Sequence, residues 1–161
     1  MSLAALVVGC GNPVHDRAVD SLGPEAPGVP AGPLHRPGQP CLTCHGASGP
    51  SDTELAYAGT IYDTPSGDVP SRGAVVHIVG ADGVDHRLLT NCAGNFFVST
   101  GEVEASFPAR VSVETDVNET VMLSLMNRSG SCNDCHGSAP SRTSPGFVWV
   151  PGEAETSGDC R

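Results

Sequence analysis

Two cysteines separated by two residues and followed at once by a histidine occur twice in this chain of 161 residues. They read Cys41-Leu42-Thr43-Cys44-His45 and Cys132-Asn133-Asp134-Cys135-His136. The pattern suits one piece of chemistry, the covalent attachment of c-type haem. Two thiols add across the two vinyl groups of a porphyrin, and the two-residue spacer lets both sulfurs reach one edge of the ring. The adjoining histidine then turns under the ring and ligates the iron through a ring nitrogen. Cys and His each make up about 4% of the residues. One such match is therefore expected by chance on the order of once per hundred chains of this length, and two far less often. The expected cofactors are two haem c groups, held by Cys41, Cys44, Cys132 and Cys135, with His45 and His136 on the two irons.

What fills the sixth position of each iron decides the function. A strong protein ligand makes an electron carrier, and an open position makes an enzyme or a gas sensor. Four histidines remain, His15, His35, His77 and His86, together with Met122 and Met126 as thioether donors. His35 stands six residues before Cys41 in a Pro/Gly loop that can fold its ring over a haem, and is a candidate for one of the two irons. Met122 lies on the stretch leading into the second motif, on the face opposite Val121, Leu123 and Leu125. It is a candidate for the second iron, with Met126 on the same face as its substitute and core filling as the alternative. His77 sits among apolar residues of an expected strand, where a buried ring needs either iron or a hydrogen-bond partner. His86 reads as a surface strand position and His15 as solvated. One His/Met site and one bis-His site would differ in potential, since Met ligation raises it.

An electron carrier is the expected function. An open-site haem enzyme, such as a peroxidase or a reductase of a small oxyanion, would need acid or base groups beside an open iron, and spacing reveals no such constellation. A zinc site built from the two Cys pairs is disfavoured, because zinc modules space such pairs by about 15–20 residues and here the gap runs from Cys44 to Cys132.

Bulk composition agrees with a cofactor-filled domain. Aromatic residues make up 4% of the chain, against 14 Pro and 20 Gly, so a core of large rings is not available and porphyrins would supply the missing flat apolar surface. The formal charge is -10, which excludes nucleic acid as a partner and favours basic redox proteins. All eight cations are Arg, a pattern of GC-rich coding to which no function is attached. Seven cysteines leave Cys10, Cys92 and Cys160 outside the motifs. Leu6-Val7-Val8-Gly9-Cys10 resembles the cleavage box of bacterial lipoproteins, whose cysteine carries the lipid, although the apolar run before it is short and lacks a basic start. A lipid anchor at Cys10 would leave Cys92 and Cys160 as a disulfide pair suited to an exported protein, or as two unrelated thiols. No segment is long enough to span a membrane.

Three zones follow. Residues 1–10 form the signal or lipobox remnant. Residues 11–40, with seven Pro, read as a flexible or polyproline-like tether. Residues 41–161 form the cytochrome domain, with haem motifs at 41–45 and 132–136 and a sandwich over about 55–126. Within it, Tyr57–Tyr62 alternates large and small residues. Gly73–Gly80 puts Ala74, Val76 and Ile78 on one face and Val75, His77 and Val79 on the other. Ala81-Asp82-Gly83 turns into a return strand over Val84–Thr90, followed by short strands at Phe96–Val98, at Val111 and Val113, over Thr120–Met126, and last at Phe147–Val150. Short strands at near-regular spacing predict a mainly β fold, an antiparallel β-sandwich with loop-rich haem-binding segments on either side.

Ala58-Gly59-Thr60-Ile61-Tyr62-Asp63, then Gly73-Ala74-Val75-Val76, then Thr90-Asn91-Cys92-Ala93-Gly94-Asn95-Phe96-Phe97 resembles the carboxypeptidase-regulatory or transthyretin-like sandwich. Cys92 departs from the small non-sulfur residue usual in that turn. With a haem motif on either side, the whole resembles di-haem c-type cytochromes of bacterial cell envelopes, where a histidine spaced like His35 also precedes the first site. The resemblance implies electron relay in the periplasm, at the outer membrane or at the cell surface, including extracellular electron transfer. Some such cytochromes form filaments, so a homopolymer and a structural subunit remain open alternatives.

Overall fold

The computed structural model describes residues 12–25 and 27–152. Within them the chain is mainly β, with two antiparallel sheets. The elements in order are α1 (Pro13–Ser21), α2 (Leu42–His45), β1 (Leu55–Thr60), β2 (Val75–Val79), β3 (Asp85–Leu89), β4 (Asn95–Ser99), β5 (Arg110–Glu114), β6 (Glu119–Val121) and α3 (Asn133–His136). One sheet pairs β1 with β4, and the other runs β3-β2-β5-β6.

The period-two pattern determines the larger sheet. Ala74, Val76 and Ile78 are fully buried, while Val75, His77 and Val79 are half-buried on the opposite face. Val76 lies opposite Leu88 and Val113, and Ile78 opposite His86 and Val111, so one face carries an apolar stripe with His86 at its β3 edge. That stripe shares a single core with Tyr57, Ile61 and Phe96 of the β1/β4 region. Burying each such side chain contributes about 1.5–3 kcal/mol.

β1 departs from simple alternation, since all six of its residues are buried. It is covered on both edges. On one side it pairs with β4, Gly59 facing Phe96 and Thr60 facing Asn95. On the other, the Ala58 N–H donates to the Gly130 carbonyl at 2.9 Å and the Cys132 N–H to the Ala58 carbonyl at 3.0 Å, a short parallel bridge.

Three expectations are corrected. Residues 12–40 are not a featureless tether, because they contain α1. Asn12 caps it by accepting the His15 N–H at 3.2 Å, Pro13 occupies the first turn and Asp16 faces the helix's positive end. Thr120–Met126 keeps the expected alternation, and the Met122/Met126 face, a candidate source of an iron ligand, turns to the core. Met126 is buried and Met122 packs against the core, whereas Leu123 is wholly exposed. The backbone continues to pair with β5 beyond β6, Met122 N–H to Val111 O at 2.9 Å and Met126 N–H to Ala109 O at 2.9 Å, which fixes that orientation. Phe147–Val150 forms a bridge to Tyr62 rather than a strand. No helix among the described residues is long and apolar enough to cross a membrane.

Candidate cofactor site

Strand β1 brings the two motifs together. The second is attached through the 130–132 bridge, where β1 and Cys132 approach closely at Gly59. A Cβ on Gly59 would lie 2.9 Å from both the Cys132 Cβ and the Phe96 ring. The segment leading into the first motif meets the same end of β1, where the Gly38 N–H donates to Thr60 Oγ1 at 2.8 Å. The motifs also sense each other. Burial pushes the Cys132 thiol up to about 12, with Cys41, Asp134 and Cys135 adding to it. Burial likewise pushes Cys41 up to about 11, a backbone hydrogen bond opposing, with Asp134 and Cys44 adding to it.

Beside the first motif lies a cavity of about 630 Å3, within the roughly 300–1,000 Å3 of small-molecule and cofactor pockets. Leu55, Phe96 and Phe97 from the sheet, Val19 and Leu22 at the end of α1, and Pro40 give it apolar walls. Cys41, Cys44, His45 and His35 also line it. The His45 Nδ1–H donates to the Thr53 carbonyl at 2.9 Å, which leaves Nε2 as the ring's free donor atom. The His35 and His45 ring centres lie 5.8 Å apart, tilted by 49°. Two imidazoles bound from opposite sides of one metal ion, at about 2 Å per bond, hold their ring centres on the order of 6 Å apart. The pair, the thiols and the apolar walls therefore fit an iron porphyrin.

His35 is held from two directions. Its carbonyl accepts from Asn95 Nδ2 at 3.0 Å, and the Pro33 carbonyl accepts from Asn91 Nδ2 at 2.7 Å. Asn95 Oδ1 in turn accepts from Thr60 Oγ1 at 2.8 Å, so the end of the β1/β4 sheet fixes the loop. Arg36 adopts φ 49°, a left-handed conformation that costs a non-glycine residue about 1–2 kcal/mol. Its guanidinium bonds Glu25 at 2.9 Å, Gln39 at 2.9 Å, and the Leu22 and Gly23 carbonyls at 3.3 and 2.8 Å, locking the loop to the end of α1. Glu25 Oε1 also stands 3.5 Å from His35 Nδ1, close enough to pair with the ring though too long for a good hydrogen bond.

At the second motif the His136 Nδ1–H donates to the Gly146 carbonyl at 2.7 Å, repeating the arrangement of His45 and again leaving Nε2 free. Ser144 Oγ sits 3.0 Å from both the Cys135 and Ser138 carbonyls and ties the covering loop to α3. Cys135 is exposed.

The other candidates are placed elsewhere. Neither Met122 nor His77 borders the cavity. His77 is clamped between strands, Nδ1 3.3 Å from Asp85 and Nε2 3.1 Å from Glu114, so both nitrogens already face carboxylates at diagonal positions of the sheet. Desolvation opposes it, but hydrogen bonds from His77 and Arg87 hold Asp85 below its ordinary value. His86, expected at the surface, is half-buried with its ring centre 5.9 Å from that of Tyr57, because its partner Ile78 turns inward. His15 lies on α1 beside Ser48, Gly49 and Pro50. Cys92 is disulfide-bonded and the four motif thiols are free; Cys10 and Cys160 lie outside the described residues. Among the described residues no three His, Cys, Asp or Glu side chains gather to hold a bare metal ion. Glu25, Arg36 and Asn95 carry no motif. The only signal for them is their nearness to His35, two in sequence and one through the sheet. No protein-family model, no curated protein and no solved structure matches this chain.

Proposed function

We propose that the chain is a di-haem c-type cytochrome that relays electrons outside the cytoplasm. The observation that carries this reading is the His35–His45 pair, 5.8 Å apart on a cavity whose rim also holds Cys41 and Cys44. Haem bound there supplies a one-electron iron couple. The protein's own contributions follow from the geometry. Cys41 and Cys44 would hold the porphyrin, and His45, oriented by Thr53, would offer Nε2 to its iron. His35, held by Asn95 and by the Arg36–Glu25 pair, would supply a second imidazole. Leu55 and Phe96 give the cavity apolar walls, a setting that would favour outer-sphere electron transfer over ligand chemistry.

Cys132, Cys135 and His136 would hold the second haem, with His136 oriented by Gly146 as His45 is by Thr53. Docking of both motifs on β1 supports a short path between the two groups. The Cys92 disulfide supports an oxidising compartment, the periplasm or cell surface. The lipid anchor proposed at Cys10 lies outside the described residues. A net charge of -10 supports a basic protein as redox partner.

The test is maturation in a host competent for cytochrome c, followed by intact mass and a pyridine haemochrome spectrum. Two porphyrin additions per chain are expected, falling to one in Cys41→Ala/Cys44→Ala. A mass without porphyrin removes the proposal.

A further inference from the structure

We infer that Glu25 is a positioning residue for His35: its carboxylate backs the ring's Nδ1, strengthens Nε2 as an iron donor and lowers the reduction potential of the first haem. The inference rests on the two-haem reading above and deepens its account of the first motif.

The three histidines that would serve iron differ in what stands behind the ring. His45 Nδ1 lies 2.9 Å from the Thr53 carbonyl and His136 Nδ1 2.7 Å from the Gly146 carbonyl, both neutral acceptors. His35 Nδ1 faces a carboxylate instead, with Glu25 Oε1 at 3.5 Å. His35 Nδ1 and Glu25 Oε2 are both buried, and neither finds a hydrogen-bond partner among the described residues. Closing the gap by about half an ångström gives hydrogen-bond distance, roughly 2.7–3.2 Å.

Arg36 fixes the carboxylate in place. Its Nε donates to Glu25 Oε1 at 2.9 Å, while its two terminal nitrogens hold the Leu22 and Gly23 carbonyls at 3.3 and 2.8 Å. The side chains of His35 and Glu25 are 27% and 34% exposed, so water screens the pair only in part.

A carboxylate behind a metal-bound imidazole draws on the Nδ1–H and raises the electron density that Nε2 can donate. A stronger donor stabilises ferric over ferrous iron, and the potential falls. A carbonyl in the same place pulls less, because it carries no charge. Glu25 thereby makes the two imidazoles of the first site unequal, His35 the stronger donor and His45 the weaker.

Redox titration of the di-haem protein and of Glu25→Gln, followed in the haem absorption bands, tests this. Gln keeps an oxygen for Arg36 Nε and removes only the charge. The expected result is a rise of about 59 mV in one of the two potentials, a tenfold change in the oxidised-to-reduced ratio, with the other potential unchanged. Two unchanged potentials, or a fall, overturn the inference. Glu25→Asp keeps the charge and should stay closer to the unchanged protein; a rise as large as that of Glu25→Gln makes Glu25 a structural brace and overturns it too. In Cys132→Ala/Cys135→Ala, which retains only the first haem by mass, Glu25→Gln should give the same rise, and its absence there overturns the assignment to the first haem. Absence of haem in a pyridine haemochrome assay instead marks failure of the two-haem reading.

Discussion

Cys41 and Cys132, the first thiol of each motif, are pushed by burial from 9.0 up to about 11 and about 12, whereas Cys135 is exposed. Alkylation of the haem-free chain, read by peptide mass, should therefore label Cys135 first near neutral pH and spare Cys41 and Cys132. Equal labelling of all four would contradict it. The sign of the stability effect is fixed too. Below pH 9.0 both folded and unfolded chains keep these protons. Above it the unfolded chain loses them first, so stability falls as pH rises toward about 11, by about 1.4 kcal/mol per unit of separation. Thioether bonds remove the protons and should abolish the loss. His77 and Met122 make a second residue-scale contrast. His77→Ala and Met122→Leu should leave the haem spectrum unchanged, the latter costing less than about 1.5 kcal/mol, since one ring is tied to Asp85 and Glu114 and the thioether packs on the core. A changed axial-ligand spectrum in either variant would restore that residue as a ligand.

Strand β1 and its partner β4 act as the mount for both motifs. Asn95→Ala removes the bonds to the Pro33 and His35 carbonyls and takes away the acceptor of the buried Thr60 hydroxyl, at a cost of about 1–3 kcal/mol. Freed of that hold, His35 should yield more readily to CO, raising uptake above that of the unchanged protein; identical uptake would show that Arg36 and Glu25 suffice. Gly59→Ala drives a methyl to within 2.9 Å of the Cys132 Cβ and the Phe96 ring. Overpacking of this kind costs about 1–3 kcal/mol. It should lower incorporation of the second haem more than the first, a difference visible as a singly loaded species in the mass spectrum. Much at this scale was readable in advance. Alternation over Gly73–Gly80 identifies β2 and its inward face, because period two is a local property of an extended chain. The start of α1 was also written as Asn12-Pro13 with Asp16, a cap, first-turn and dipole set that the surrounding Pro and Gly obscured. The inward turn of Met122 was not readable, since alternation defines two faces without saying which one meets the core.

For the whole molecule, the charge of -10 governs encounter. Electron exchange with a basic partner should slow steeply as ionic strength rises, over the range in which the screening length shrinks from about 30 Å at 0.01 M to about 8 Å at 0.15 M. Stopped-flow rates independent of salt would count against an electrostatically steered partner.

The sequence alone determined that two thiols and an imidazole stand together at two places, because each Cys-x-x-Cys-His pentapeptide keeps them adjacent whatever the rest of the chain does. It also determined the β character, through alternation. Only the tertiary structure decided which histidine stands opposite which. His35 meets His45 because Arg36 and Asn95 fasten its loop at the end of a sheet, and His77 is lost to Asp85 and Glu114 because strand register sets them diagonally across from it. Contacts of that kind join residues far apart in the chain, and their geometry is set by packing and register rather than by any spacing that can be read along it.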